Sequence, residues 1–193
     1  MALMPSPNSP LTGPLPLSKE KLRNIIALLS AYALCLYGLE TLIPSTIPWL
    51  RLGLANIITL ITISLYGFRA AMMVTLIRIF VGSIFRGTFL GPAFILSLGG
   101  GVFSTIVMGI TWRFLGCFGP VGISLIGSYA HNLAQLFLAY ILFIRRIEAV
   151  ALIAPIILLL GTVTGTFNGM VCGILLRDLK SLGSSISFQG KAP

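Results

Sequence analysis

The sequence predicts an all-α integral membrane protein, a bundle of six transmembrane helices, and three observations carry that prediction. Of the 193 residues 56% are hydrophobic and 9% are charged, against about 25% charged in a soluble domain. With a mean hydropathy of +1.02, the chain has too few charges to cover a water-facing surface. Its apolar runs are about 15–28 residues long without period-2 alternation, which matches helical crossings rather than transmembrane strands. The net charge of +9 comes from basic residues that stand at the ends of these runs. That arrangement is a topology signal, whereas a nucleic-acid-binding face needs a clustered basic surface.

Residues 1–18 hold five prolines and no charged side chain, so they read as a disordered, cytoplasmic tail. A signal peptide is disfavoured, because the first apolar run begins after Lys19, Glu20, Lys21 and Arg23 and no small-residue cleavage site follows it. Helix 1 is expected over Leu22–Ile43, ending at Pro44. It carries Ala27, Ser30 and Ala31, a small-residue patch suited to close helix contact, and Glu40 near its far end. Pro44–Gly53 reads as a loop with Trp49 and Arg51. Helix 2 (Leu54–Tyr66) and helix 3 (Ala70–Phe85) are short and meet at the tight Gly67-Phe68-Arg69 turn. Helices of this length either tilt little or are enclosed by protein at membrane depth.

Helix 4 is expected over Phe94–Trp112 and contains Gly99, Gly100 and Gly101; helix 5 over Val121–Ile144 contains His131, Asn132 and Gln135. Helix 6 (Ala149–Leu176) has the most regular pattern in the chain, with Gly161, Gly165, Gly169 and Gly173 recurring every four residues. In water each glycine weakens a helix by about 1 kcal/mol relative to alanine, but in a membrane such a stripe lets two backbones approach. Its partner, within this chain or on another subunit, is open at this level, and residues 181–193 read as a flexible tail. Cys35, Cys117 and Cys172 are scattered and read as small apolar filler.

Six crossings put both termini on one side. With the N-terminus cytoplasmic, Lys19, Lys21, Arg23, Arg69, Arg113, Arg177, Lys180 and Lys191 fall inside, and Arg51, Arg86, Arg145 and Arg146 fall outside. The bias supports both termini in the cytoplasm. In that frame Arg78 sits near mid-membrane on helix 3, where a charge is costly unless it faces a cavity, a partner or a ligand. Arg86 lies about 12 Å further out. His131 falls near the middle of helix 5, with Gln135 one turn further out on the same face. Glu40, Arg51 and Asn56 lie toward the outer side, and Asn132 points roughly 100° away from His131. The expected substrate-binding set is therefore Arg78, His131, Gln135, Arg86, Asn56, Arg51, Glu40 and Asn132, around an outward-open polar pocket. Bland roles compete: interfacial snorkelling for Arg51 and Arg86, backbone capping for Asn56, helix–helix hydrogen bonding for Asn132, and a counter-ion role for Glu40. Several cations against one carboxylate favour an anionic small molecule, a carboxylate or diphosphate. Asn168 flanks the glycine stripe and reads as packing glue first and ligand contact second.

Some chemistry is missing. There is no GxxxxGK[ST], GxSxG or HExxH, and the acidic residues are Glu20, Glu40, Glu148 and Asp178 only. Metal-dependent prenyl transfer needs clustered carboxylates, so the chain is not expected to be an enzyme, and no cofactor or metal site is expected.

The blocks RLGLAN, GFR, LxRxxxGSxFxGTF and AHNLxQ occur in that order, and across roughly residues 22–178 the chain resembles a bacterial membrane family. That family is labelled heptaprenyl diphosphate synthase component I, or Gx transporter. It is similar to the substrate-binding S-components of energy-coupling factor transporters. The resemblance implies an S-component-like six-helix fold in the bacterial cytoplasmic membrane, binding a small metabolite from outside. An isoprenoid or quinone precursor is compatible with it. It also implies a transmembrane coupling subunit and two ATPase subunits as partners, with Ala27 and Ala31 facing the coupling subunit and Pro44–Gly53 as a lid. Besides the surrounding lipid, the glycines of helix 6 are a second expected contact surface. Two alternatives stand beside this reading: a membrane subunit or scaffold associated with a prenyl diphosphate synthase, and a stand-alone small transporter.

Overall fold

The chain was analysed as a computed structural model, which describes residues 18–42, 55–115 and 118–189. Six α-helices follow one another: α1 (Lys19–Leu42), α2 (Ala55–Tyr66), α3 (Phe68–Phe85), α4 (Pro92–Phe114), α5 (Pro120–Ala139) and α6 (Ile147–Gln189). A π-helical turn, Tyr140–Ile144, closes α5. The boundaries follow local chemistry. Pro92 and Pro120 occupy the first turns of α4 and α5, each after a glycine in extended conformation. A proline is at ease there because its φ is already helical and its missing N–H would lack an intrahelical partner in any case. Both helices therefore start slightly ahead of the positions read from the sequence.

Gly67 alone separates α2 from α3, at φ 83° and ψ 177°, a conformation essentially reserved for glycine. The π-turn ends on Arg145 at φ 48°, which terminates α5 before α6 begins. α6 runs past the expected Leu176 to Gln189. The turn-like Gly183-Ser184-Ser185 does not end it, and residues 181–189, read from sequence as part of a tail, are helical.

Among the described residues, five helices are long and apolar enough to cross a membrane: within α1, α3, α4, α6, and α5 with its π-turn. α2 is the exception to six full crossings. Its 12 residues span about 18 Å, well short of a hydrocarbon core of about 30 Å. The reason is its position. α1, α3, α4, α5 and α6 succeed one another around an open arc, and α2 touches every one of them. Ile57, Thr59, Leu60, Ile61, Thr62 and Ile63 are all buried, so the described length of α2 is enclosed by protein.

The bundle is divided along its length. An apolar plug fills one end, formed around α2 by Leu60, Ile61, Ile63, Ala71, Met108, Ile123, Cys172 and Leu176. A smaller cluster of Ile26, Ala33, Ala70 and Val74 joins α1 to α3. Toward the other end of the same helices, the interior becomes polar.

Candidate functional site

The polar interior is a pocket to which every helix contributes: Tyr37 from α1, Asn56 from α2, Arg78 from α3, Ser97 from α4, His131, Asn132 and Gln135 from α5, and Thr164 and Asn168 from α6, among others. Its volume is about 50 Å³. Arg78 is 7% exposed, and it is the one permanently charged side chain among the described residues that line the space.

The glycine triplet of α4 leaves room there for side chains of α3 on one side and of α5 on the other. A Cβ at Gly100 would stand 2.9 Å from His131 Cε1 and from Gln135 Cγ. A Cβ at Gly101 would stand 2.7 Å from Ile79 Cδ1 and 3.7 Å from Arg78 Nη2. Arg78 thus reaches in across the bare backbone of α4 from one side, and His131 with Gln135 from the other. Real Cβ atoms do not tolerate distances under 3.0 Å without displacing a neighbour, so an alanine at 100 would push His131 and Gln135 aside and one at 101 would push Ile79, with Arg78 left in ordinary contact.

Below Arg78, toward the plug, runs a line of buried hydroxyls. Thr105 Oγ1 donates to Gly101 O at 2.8 Å. Having spent its one proton, it accepts from Thr75 Oγ1 at 3.1 Å, which in turn accepts from Thr59 Oγ1 at 3.2 Å. The chain ties α2, α3 and α4 one helical turn from the guanidinium, with all three hydroxyl groups buried.

The α5–α6 wall is sealed differently. Gly161, Gly165 and Gly169 press on α5 of the same chain. A Cβ at Gly165 would lie 3.3 Å from Leu125 Cα, and one at Gly169 would fall on Val121 Cα, with Pro120 O at 3.1 Å. Gly173 is looser, at 3.8 Å from Pro120. Gly161, Gly165 and Gly169 therefore pack as a seam within the chain. Hydrogen bonds reinforce it. Ser128 Oγ donates to Gly161 O at 2.6 Å, and Asn132 Nδ2 donates to Ile157 O at 3.2 Å. Tyr129 donates to Thr162 Oγ1 at 2.7 Å, since the threonine hydroxyl already donates to Leu158 O.

The side chains singled out in the sequence divide into three groups. Arg78, His131, Gln135, Asn56 and Asn132 line one pocket, with Asn132 also making the helix–helix bond to α6. Arg86 does not line it: it is exposed at the C-terminal end of α3, with its guanidinium on Tyr37. Its place just past the end of α3 turns it outward, and depth along the helix does not report direction. Glu40 and Arg51 fall outside the residues whose side chains are described, as does the expected lid at Pro44–Gly53. Ala27 and Ala31 are exposed, while Ser30 between them is buried and donates to Ile26 O at 2.7 Å. Asn168 is buried on the pocket wall. Tyr37, Ser97, Ser124, Ser128 and Thr164 are lining residues that sequence reasoning missed. Only the hydroxyls inside apolar runs could have signalled them, and many such hydroxyls merely bond the carbonyl four residues back, as Thr111 and Thr166 do. Among the described residues, no three His, Cys, Asp or Glu side chains gather to hold a metal ion.

A family model described as heptaprenyl diphosphate synthase component I matches residues 11–175, most of the chain, and the protein belongs to that family. No curated protein and no solved structure matches it. The further likeness to S-components of energy-coupling factor transporters gains nothing from these comparisons.

Proposed function

We propose that this member of the heptaprenyl diphosphate synthase component I family is a membrane subunit whose work is binding, and that the pocket around Arg78 holds the anionic group of a small metabolite. The observation that carries the reading is Arg78 itself, a buried cation on the wall of a pocket to which α2, α4, α5 and α6 add amide, imidazole and hydroxyl side chains. A guanidinium with amide, imidazole and hydroxyl neighbours suits a carboxylate or phosphoryl group, which it can grip with paired charge-assisted hydrogen bonds. The volume of about 50 Å³ suits a head group. Sites that enclose a whole drug-sized ligand measure about 300–1,000 Å³, so a complete isoprenoid diphosphate needs the bundle to open. In this reading the chain binds its ligand and leaves any chemistry on it to a partner.

The family's description supports a setting beside a prenyl diphosphate synthase, with this chain as the membrane subunit or scaffold and a soluble, carboxylate-rich partner carrying out the transfer. A second setting is favoured by Ala27 and Ala31, small residues left exposed on α1. Small residues on a lipid-facing helix are where another transmembrane helix can dock closely. In that setting the chain is the substrate-binding subunit of an ATP-driven uptake transporter in the cytoplasmic membrane, with a coupling subunit on α1 and two ATPases doing the work. With both termini in the cytoplasm, the plug closes the end carrying Arg69, Arg113 and Arg177, and the pocket faces outward.

Native purification followed by mass spectrometry of bound ligands and copurifying subunits tests the reading and separates its settings. An anionic metabolite is expected in the wild type. In Arg78→Ala it is expected to be lost about 10- to 100-fold, the scale of one charged hydrogen-bonding partner, with the variant still folded. A prenyl synthase subunit in the same peak favours the first setting, and a membrane coupling protein with ATPases favours the second. Equal ligand retention by Arg78→Ala would remove the pocket from the account.

A further inference from the structure

Tyr37 belongs to two environments at once. Its side chain is part of the pocket wall, yet its hydroxyl accepts a hydrogen bond from Arg86 Nη1 at 3.3 Å, and the Arg86 guanidinium carbon stands 5.6 Å from the ring centroid. Arg86 is exposed and does not line the pocket. The ring fits against α3 because Gly82 is bare: a Cβ there would stand 2.9 Å from Tyr37 Cε1 and 3.2 Å from Cδ1. At Gly82 the contact between α1 and α3 is thus made by rotatable side chains, where the α5–α6 side rests on backbone at Gly165 and Gly169. α1 stands at one end of the arc: among the described residues its helix contacts are with α2 and α3.

We propose that Tyr37 is the gate of the pocket and Arg86 its latch. The ligand passes between α1 and α3 when Arg86 releases the phenol, and Arg86 acts through Tyr37 without touching the ligand. Arg86 is then a positioning residue. An exposed cation at the end of α3 can exchange the phenol and its ring for water, so Arg86 leaves by giving up an exposed hydrogen bond and a cation–π contact. The motion needed is a rotation about the side chain of Tyr37 with a small outward shift of α1. The proposal rests on the pocket being a binding site, but access can be read without any ligand.

The test uses the full chain in lipid nanodiscs with Ser97→Cys as a reporter on the pocket wall. The probe is 2-sulfonatoethyl methanethiosulfonate, a small anionic thiol reagent, and the reaction is followed by mass spectrometry at the peptide containing position 97, so the native cysteines do not interfere. Labelling is expected to be slow in the reporter protein. Arg86→Ala and Tyr37→Ala should each speed it about five- to tenfold, as follows from losing contacts of this strength. Arg86→Lys should restore the slow rate, because a cation over the ring is retained; a role confined to overall stability predicts no such rescue. Gly82→Ala, which must push the ring aside, should speed labelling as well. Fast labelling of the reporter protein, or an unchanged rate in a folded Arg86→Ala variant, overturns the gate. Arg86 lies on the surface, so its variants supply the answer even if Tyr37→Ala fails to fold. A pocket that binds no anion but still shows the latch-dependent rates would sink the binding role and leave the gate standing.

Discussion

The α5–α6 seam and the α1–α3 seam bound the same pocket, and glycine serves opposite ends in them. Along α6, glycines bring backbone against backbone: Gly165 against Leu125 and Gly169 against Val121. Side chains of α5 then reach across to carbonyl oxygens of α6. The backbone atoms in that contact cannot rotate away. At the α1–α3 seam the glycine is Gly82, and what fills its notch is the far end of an aromatic side chain. In lipid there is no hydrophobic drive between helices, so packing and interhelical hydrogen bonds decide which contacts are firm. A seam of backbones is a wall, and a seam of side chains is a place where a wall can part.

Substitutions that add one methyl group sharpen this contrast, because the backbone seam should answer in stability. The largest effect is expected from Gly169→Ala, whose Cβ meets Val121 Cα, an atom that cannot move unless α5 moves. A loss of about 2–3 kcal/mol, at the upper end of overpacking costs, should appear in SDS-unfolding titrations in mixed micelles. A loss under about 0.5 kcal/mol, the scale of a neutral surface change, would mean that the seam is looser than described. Gly161→Ala comes next. Its methyl meets Asn132 and Ser128, both flexible but both hydrogen-bonded to α6. Disturbing those bonds should cost about 1–2 kcal/mol, together with a change in ligand retention, since both residues also line the pocket. The smallest effect belongs to Gly173→Ala. With Pro120 at 3.8 Å the methyl has ordinary room, and the gain in helix propensity should leave the protein equally stable or up to about 1 kcal/mol more so. A loss of stability there like that at Gly169 would break the graded picture.

Much of this was legible in the chain itself, for identifiable reasons. Helix positions follow from apolar runs cut by proline and glycine, which act within a few residues. Arg78, His131 and Gln135 converge as expected because depth along a straight helix and the four-residue repeat are both local geometry. Arg86 escaped that logic, since depth says nothing about direction at a helix end. The triplet Gly99–Gly101 was visible but mute. In isolation it is a weak stretch of helix, and its purpose appears only when the side chains of α3 and α5 are set against it. Tyr37 was silent for the same reason, because an aromatic residue in a lipid-embedded helix is ordinary. The shortness of α2 could be seen, but its place inside the arc could not. A run of isoleucine, leucine and threonine fits a lipid-facing helix and a protein-enclosed one equally well.

Gly67 bears on how the protein is made. α2 is too short to cross a membrane by itself, and α3 carries Arg78 at its centre, which insertion scales penalise by about 2.5–3.5 kcal/mol. Neither segment is a good passenger alone. Joined through one glycine, with Thr59 already opposite Thr75, they can leave the insertion machinery as a hairpin that supplies part of its own polar surroundings. A flexible linker placed at Gly67 is accordingly expected to lower the yield of integrated protein, read by protease protection of newly made chains, while the molecules that do integrate unfold much like the wild type. The turn that sets the two helices back to back would then matter most in the seconds before the bundle exists.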